Sequence, residues 1–317
     1  MTGAAPPSDT GPLHPELLAD ARGAWVGVWL RPSGPVAQLD HHATWVCLSG
    51  TVPGFMTHTD WSTYAGESAA PPTGLTLISD DTLLACETRF PDTVSPPTRW
   101  LTGAWYLAMA PKPHAAQAAS RQRALRLMQL VMDDAETHEL EEVFRQDAAL
   151  SYQLLRLVNS AVTGSRREVT SFAQAIAMMG RQPLKRWLNL LLFAARDDDV
   201  RSAMLMAHVV IRARGMERLA AVRGLDKGDQ EQAFMAGMFS LLDRLIGQPL
   251  VDILRPIRVT DSLQSALLEQ QGQLGALLKD WSRLESGERD AHSEALLAEA
   301  MAWAYTLVHQ TPASGRG

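Results

Sequence analysis

Few residue groups in this sequence have the types and spacing that enzyme chemistry requires. Three adjacent aspartates at positions 197–199 could attract a cation. Adjacent side chains point in different directions, however, so these carboxylates cannot converge on one ion without a specialised loop. We therefore expect them to favour the N-terminus of the next helix through its dipole.

The two cysteines predict neither a zinc site nor a disulfide. Cys47 and Cys86 lie far apart and form no Cys-x-x-Cys pair, which fits a reducing compartment. The histidines near Cys47 are expected in loops: His41, His42 and His58. The sequence also lacks the Gly-x-Ser-x-Gly elbow of hydrolases and the glycine-rich loops that bind phosphates. We expect no cofactor.

Charge and hydropathy narrow the class of partner. The formal charge of −6 and a pI near 5.8 argue against a general nucleic-acid binder, which would present a basic face. The N-terminus lacks the basic start and apolar core of a signal peptide, and no window has the roughly 18 apolar residues of a membrane span. We expect a cytoplasmic protein that contacts neither nucleic acid nor membrane.

Differences in composition and predicted secondary structure divide the chain into five parts. Residues 1–21 are rich in Pro, Gly and Ala, which predicts a flexible lead-in. Residues 22–111 predict a small α/β or mostly β domain, with strands at 24–30, 44–48, 75–78 and 83–86. Residues 112–120 are predicted to be a linker, residues 121–310 a helical domain and residues 311–317 a fraying tail.

Six tryptophans lie in the first of these domains. They are Trp25, Trp29, Trp45, Trp61, Trp100 and Trp105. Such rings could form a platform on which a ligand stacks. We favour a core role, because aromatic rings bury large apolar areas.

Residues 140–195 contain the clearest signals for where helices begin and end. Asp147 can cap a helix whose apolar face includes Leu154, and Gly180 stands where the next helix should end. Pro183 fits the first turn of a third helix. Helices this short are stable only when their apolar faces are buried together, so the stretch predicts a helical bundle.

This stretch resembles the signature of HDOD domains. The matching positions are Asp147, Leu154, Leu155, Asn159, Ser160 and Gly180, followed later by Gly237. HDOD domains are all-helical relatives of HD-type phosphohydrolases, so the resemblance implies a helical fold and a role in bacterial signalling. It extends over about residues 101–288 in the pattern of YuxH-like proteins, which join an EAL domain to an HDOD domain.

The segment from Leu101 to Pro111 is similar to the closing segment of EAL domains. These are (βα)₈-barrel phosphodiesterases of cyclic di-GMP. A barrel needs at least about 200 residues, which is far more than residues 22–111 provide, and no Glu-Ala-Leu triplet occurs among them. We interpret this region as a truncated, metal-free EAL remnant, which implies loss of catalysis.

The resemblance also locates a metal site that the sequence has lost. Catalytic HD domains bind metal through a first histidine, an adjacent His-Asp pair and a distant Asp. Ser240 and Leu241 stand where the pair would be, and neither can replace it. His208 falls where the first histidine might sit, but we expect it to be hydrogen-bonded instead of metal-bound. Asp243 is expected to bond locally.

Three hypotheses for function follow. The first is a non-catalytic adaptor whose HDOD domain binds other signalling proteins, linked to cyclic-di-GMP signalling. The second is a residual metal-dependent phosphohydrolase or cyclic-dinucleotide phosphodiesterase that uses His208. The third is a catalytically dead cyclic-di-GMP sensor in which tryptophans or arginines hold the nucleotide. We favour the first, because the positions that should bind metal carry other residues.

Overall fold

The computed structural model describes residues 11–33, 43–47, 76–109, most of 123–145, 200–255, 259–288 and 291–310. The HDOD signature positions from Asp147 to Gly180, the linker and the tail lie outside these ranges. The described chain has an N-terminal sheet followed by helices. This confirms the predicted fold class, a mainly helical chain with a small N-terminal domain.

Six strands form one sheet. They are β1 (Gly11–Asp20), β2 (Trp25–Ser33), β3 (Ala43–Cys47), β4 (Thr76–Ser79), β5 (Leu83–Ala85) and β6 (Trp100–Thr102). Their order across the sheet is β4-β3-β2-β1-β6-β5. The four strands predicted from the sequence correspond to β2, β3, β4 and β5.

Strand β1 corrects the prediction that residues 1–21 form a flexible lead-in. Its prolines, Pro12 and Pro15, suggested irregular chain. β1 pairs with β2 along most of its length, but with β6 only at Ala19 and Asp20. Among the described strands, the prolines thus lie where β1 has a neighbour on one side, and such edge positions tolerate proline.

The turn between β1 and β2 is fixed by Asp20. Its carboxylate accepts hydrogen bonds from the backbone N–H groups of Arg22 and Ala24, at 2.9 and 3.0 Å. Gly23 adopts a φ of 78°, a left-handed conformation that glycine reaches without steric cost. This turn sets the antiparallel register in which Leu17 faces Val28.

The sheet is strongly curled. A 3₁₀ turn of three residues, Asp80–Thr82, is all that separates β4 from β5, although these strands stand at opposite ends of the strand order. The four Cα–Cα steps between them can span about 15 Å at most. The outer strands of a flat six-stranded sheet would be about 24 Å apart, so the edges must bend towards each other.

The strand pairing does not show the predicted EAL remnant. β5 pairs with β6 in parallel, and every other pairing in the described sheet is antiparallel. A (βα)₈ barrel has parallel strands, each followed by a helix. The resemblance at residues 101–111 therefore gains no support from the topology.

The structure gives the bounds of eight α-helices. They are α1 (Thr137–Arg145), α2 (Ser202–Val222), α3 (Lys227–Phe239), α4 (Leu242–Ile246), α5 (Leu250–Leu254), α6 (Asp261–Glu269), α7 (Gly272–Glu285) and α8 (Ala291–Gln310). None of the described helices is long and apolar enough to cross a membrane. The apolar residues of 231–246 recur at helical spacing and predict one continuous helix, but the structure divides this stretch into α3 and α4. The Ser240 hydroxyl donates to the Gly237 carbonyl at 2.8 Å at this break, a local bond that competes with regular helix geometry.

Helix α2 lies at the centre of the core. It packs against α3, α7 and α8, and also against β1, β2 and the 3₁₀ turn Trp105–Leu107. Trp25 and Trp105 of the sheet are 3% and 0% exposed and share one apolar core with these helices. Trp25 also meets Tyr305 of α8 edge to face at 5.4 Å. These two tryptophans are core residues, and the sheet is packed on the helices.

Candidate functional site

Helix packing brings two of the sequence-predicted site residues to one side chain that the sequence did not single out. His208 lies on α2, and Ser240 follows the last residue of α3. Both contact the guanidinium group of Arg212, one turn after His208 on α2. We call the six side chains gathered here the Arg212 cluster: Tyr106, His208, Arg212, Ser240, Trp281 and Glu285.

Arg212 joins three helices through its guanidinium group. Nε donates to Glu285 Oε1 at 3.0 Å, and Nη2 donates to Oε2 of the same carboxylate at 2.5 Å. Nη1 donates to Ser240 Oγ at 3.0 Å, and Nη2 lies 3.4 Å from His208 Nε2. The Arg212 and Glu285 side chains are 12% and 15% exposed. This is a bidentate pair in a largely dry setting, where such pairs are strong.

Glu285 is the last residue of α7, and both oxygens of its carboxylate accept hydrogen bonds. The Trp281 indole donates to its Oε1 at 2.8 Å from one turn earlier on α7. Burial alone would raise the pKa of Glu285, but the Arg212 charge, with His208 and the hydrogen bonds from Arg212 and Trp281, lowers it. Glu285 is therefore ionised near neutral pH and balances the Arg212 charge.

His208 connects the cluster to the sheet domain. Its Nδ1 lies 3.3 Å from the Tyr106 hydroxyl, which comes from the 3₁₀ turn Trp105–Leu107. Burial, opposed by Glu285 and reinforced by Arg212, lowers the pKa of His208 to about 4. The imidazole is therefore neutral at pH 7. On its other side, His208 Nε2 lies 3.4 Å from Arg212 Nη2 and 3.5 Å from Glu285 Oε1.

Two glycines make room for the cluster. A Cβ atom at Gly237 of α3 would lie 2.6 Å from the Ala213 Cα atom of α2, so the two helices touch backbone to backbone beside Arg212. A Cβ atom at Gly215 would lie 1.9 Å from the Trp281 ring. Gly215 thus leaves the space in which the fully buried indole reaches Glu285.

The remaining candidates from the sequence do not join the cluster. Leu241 is 8% exposed and belongs to the apolar core. The Asp243 carboxylate accepts from the Arg244 backbone N–H at 2.8 Å and lies 3.4 Å from the Arg244 side chain. Asp243 is therefore held locally in the first turn of α4.

The residues of the cluster do not fit an HD-type metal centre. Within the described ranges, no group of three or more His, Cys, Asp and Glu side chains could hold a metal ion. His208 and Glu285 are potential ligands, but the Arg212 guanidinium lies against both. A metal ion there would meet a buried positive charge of the same sign, which is strongly unfavourable at such distances. The arrangement fixes α2, α3 and α7 to one another through the guanidinium group of Arg212.

Sequence reasoning missed Arg212, Glu285, Trp281 and Tyr106. Spacing along a helix was an available signal for three of them. Arg212 follows His208 by four residues and therefore shares its face of the helix. Trp281 and Glu285 have the same spacing on α7. Nothing local links α2 to α7, since that contact depends on tertiary packing.

A surface groove of about 350 Å³ lies towards the C-terminal end of α2. Leu219, Leu284 and Leu296 are among its apolar lining residues. At its edge, the Asp280 carboxylate pairs with Arg223 at 2.6 Å and with Arg283 at 3.4 Å. The groove shares α2 and α7 with the Arg212 cluster but none of its side chains.

Two other bacterial proteins are similar to part of this chain. The protein named cyclic di-GMP phosphodiesterase CdgJ, from Vibrio cholerae, is 30% identical over 154 residues, which are 46% of this chain and 35% of CdgJ. YuxH of Bacillus subtilis, which is named as uncharacterized, is 28% identical over 170 residues, 53% of this chain and 41% of YuxH. The matched part is therefore well under half the length of either relative.

A solved structure from Shewanella amazonensis SB2B, whose name places it among the phosphohydrolases, is 18% identical and covers 62% of this chain with a TM-score of 0.40. The match extends over 99% of the chain in that structure. A likeness this distant carries no argument about function. The sequence profile of the HDOD domain matches residues 119–285. This match spans more than half of the 317 residues, so the chain belongs to the HDOD domain family.

Proposed function

We propose that this protein is a non-catalytic signal-transduction adaptor that acts through protein–protein contacts of its HDOD domain. The pathway we propose is bacterial and linked to cyclic di-GMP. One observation supports the absence of catalysis: the Arg212 guanidinium lies among the side chains that would have to hold a metal ion. The cluster is then a structural centre that fixes α2, α3 and α7 relative to one another.

The link to cyclic di-GMP rests on family and relatives. The chain carries an HDOD domain, and one relative is named a cyclic di-GMP phosphodiesterase. The alignment covers 35% of that relative, so its whole activity does not transfer with the matched segment. We therefore favour a regulator that shares the HDOD domain with this relative and does not share its catalytic activity.

The name of that relative also supports a second candidate, a metal-dependent cyclic-dinucleotide phosphodiesterase. It would have to use His208 and Glu285 after Arg212 had moved away. The guanidinium makes two hydrogen bonds to Glu285 and one to Ser240, all in a largely buried setting. Breaking them would leave two opposite charges unpaired, which weighs against this candidate.

A turnover assay separates the two. The purified full chain is incubated with cyclic di-GMP and with a generic phosphodiester, in the presence of Mg²⁺, Mn²⁺ or Fe²⁺, beside a matched His208→Gln variant. The adaptor proposal expects both proteins to remain at the background rate. Turnover by the wild type that His208→Gln abolishes would support the enzyme. Calorimetric titration with cyclic di-GMP tests the sensor hypothesis, which requires saturable heat.

Partner binding provides the positive test. The full chain is used to isolate complexes from its native cell, and each candidate is purified and tested for direct binding. The adaptor proposal expects one signalling protein to bind with a defined stoichiometry, and His208→Gln to bind it as well as the wild type does. If no purified candidate binds directly, the adaptor proposal fails.

A further inference from the structure

We propose that the surface groove at the C-terminal end of α2 binds a second copy of this chain, so that the protein forms a two-fold symmetric dimer. The groove contains no side chain of the Arg212 cluster. The inference therefore goes beyond the proposed function and does not depend on it.

The ends of three helices form the floor of this groove. Leu219 comes from the last turn of α2, Leu284 from the last turn of α7 and Leu296 from the second turn of α8. These leucines are at most 9% exposed, so the floor is apolar and well supported from below. The groove volume of about 350 Å³ equals the share of roughly ten water molecules, which leaves room for an aliphatic side chain from another molecule.

A projecting apolar side chain lies beside this floor. Val222, the last residue of α2, lines the groove and is 49% exposed, the highest value for a large apolar side chain among the described residues. In a two-fold interface the same patch serves both subunits, so a patch that inserts a side chain must also accept one. Val222 of each copy can enter the groove of the other, which buries apolar surface on both sides.

The charged side chains at the groove are not evenly paired. Arg223 and Arg283 share one carboxylate, that of Asp280, at 2.6 and 3.4 Å. Arg283 has the longer contact and is 62% exposed, against 42% for Arg223. Glu288 is exposed and forms no ion pair with any residue that the structure describes. The patch therefore has one guanidinium in excess and one carboxylate without a counter-charge.

This pattern of charge is complementary to itself. A two-fold axis through the groove places Arg283 of each copy against Glu288 of the other. The lining has two arginines and two carboxylates, so two such patches do not repel each other. Copies of a chain with a formal charge of −6 repel each other overall, and they can associate best where the local charge is balanced. A strongly acidic or strongly basic partner would bring a like charge against this lining, which disfavours it.

Sedimentation equilibrium of the full chain measures the proposed association, at protein concentrations up to about 0.5 mM. The wild type is compared with Val222→Ser, Arg283→Glu and Glu288→Arg, and with an equimolar mixture of the two charge variants. Circular dichroism confirms that each variant is folded, which is expected because all three side chains are exposed.

Two exposed residues outside the groove supply matched controls. Val251 is 48% exposed, so Val251→Ser repeats the change made at Val222. Arg255 pairs with the aspartate three residues before it, as Arg283 does, so Arg255→Glu repeats the charge reversal. Both controls should keep the dissociation constant of the wild type.

The wild type should show a monomer–dimer equilibrium with a Kd of about 0.1 mM or lower, as for a reversible contact that buries little surface. Each of the three groove variants should raise this Kd by about tenfold or more, because every substitution acts twice in a two-fold interface. In the mixture, the new carboxylate of Arg283→Glu faces the new guanidinium of Glu288→Arg, and the unchanged Glu288 and Arg283 also face each other. The mixture should therefore associate with nearly the wild-type Kd.

Three results would overturn the proposal. They are a wild type that stays monomeric throughout the concentration range, a dimer that the groove variants leave unchanged, and charge variants that weaken the dimer without recovery in the mixture. If the wild type is monomeric and Val222→Ser weakens the binding of a purified signalling partner, the groove binds that partner instead. That outcome would reject the dimer and support the adaptor proposal.

Discussion

The Arg212 guanidinium donates two hydrogen bonds to the Glu285 carboxylate, although the residues are 73 positions apart in the chain. Arg212 lies in the middle of α2, and Glu285 is the last residue of α7. Ser240, at the break between α3 and α4, receives a third hydrogen bond from the same group. One largely buried cation therefore fixes the relative positions of three helices in an HDOD domain.

Replacing Arg212 by methionine should destabilise the protein strongly. The change leaves the Glu285 carboxylate buried without its counter-charge, and breaking a buried pair in this way costs about 3–5 kcal/mol. The double variant Arg212→Met/Glu285→Leu should recover much of the loss, because it buries no unpaired charge. Urea denaturation followed by circular dichroism measures both free energies of unfolding.

Arg255 provides the matched control for this prediction. It pairs with Asp252 at 3.0 Å, but the two side chains are 75% and 47% exposed. Arg255→Met should change the free energy of unfolding by less than about 1 kcal/mol. If Arg212→Met is no more destabilising than Arg255→Met, then Arg212 does not have the structural role assigned to it.

Gly237→Ala should weaken the contact between α2 and α3. The new methyl group would lie 2.6 Å from the Ala213 Cα atom, and backbone cannot move aside as a flexible side chain can. Overpacking of this kind costs about 1–3 kcal/mol. Gly228→Ala, in the first turn of α3, is the control. Its Cβ would have only the Asp226 carboxylate nearby, at 3.3 Å, and alanine favours the helix by up to about 1 kcal/mol. Equal effects of the two changes would contradict the proposed close contact.

His208 should make stability depend on pH in a defined window. The unfolded chain takes up this proton near pH 6.5, whereas the pKa in the folded protein is about 4. Between these values the unfolded state binds more protons, so stability falls as the pH falls, by about 3 kcal/mol at most. Glu285, whose folded pKa is lowered, loses its contribution only below its own usual pKa of 4.5. Measurements between pH 6.5 and 4.5 therefore isolate the histidine.

The test is the difference in unfolding free energy between wild type and His208→Gln across that range. This difference should change steadily with pH for His208→Gln. It should stay constant for a Gln273→Ala control, which removes no titratable group at an exposed position of α7. Parallel pH profiles for wild type and His208→Gln would mean that His208 is not held neutral by its surroundings.

Tyr106→Phe should loosen the junction between sheet and helices without disturbing the core. Phenylalanine keeps the edge-to-face contact with Trp105 at 5.7 Å but loses the hydroxyl beside His208. We expect a loss of about 1 kcal/mol, the usual net value of such a hydrogen bond. In a double-mutant cycle, Tyr106→Phe should couple to His208→Gln and add independently to Gln273→Ala. Additivity in both cycles would show that the contact carries no energy.

The sequence predicted those strands and helices whose signal lies within a few neighbouring residues. Short runs of β-branched and aromatic residues located β2 and β3, because such a composition is visible within a few residues. Strand β1 was not predicted because it contains Pro12 and Pro15. A strand accepts prolines where it has a neighbour on only one side, and the sequence does not show which part of β1 is paired with β6. The single helix predicted over 231–246 was wrong at Ser240, where a side-chain bond to the backbone ends α3.

The candidate site was predictable only in part, for a related reason. His208 and Ser240 were identified through the family pattern, and the structure places both against Arg212. Glu285 reaches the cluster through the packing of α7 on α2, which no local pattern encodes. The six HDOD signature residues from Asp147 to Gly180 lie outside the described residues and remain predictions.

The most direct measurement is a crystal structure of the wild-type full chain grown with Mn²⁺, with data collected for anomalous scattering. The account predicts guanidinium density between His208, Ser240 and Glu285, and no anomalous peak among these side chains. A manganese peak bound to His208 and Glu285, with Arg212 turned away, would contradict it.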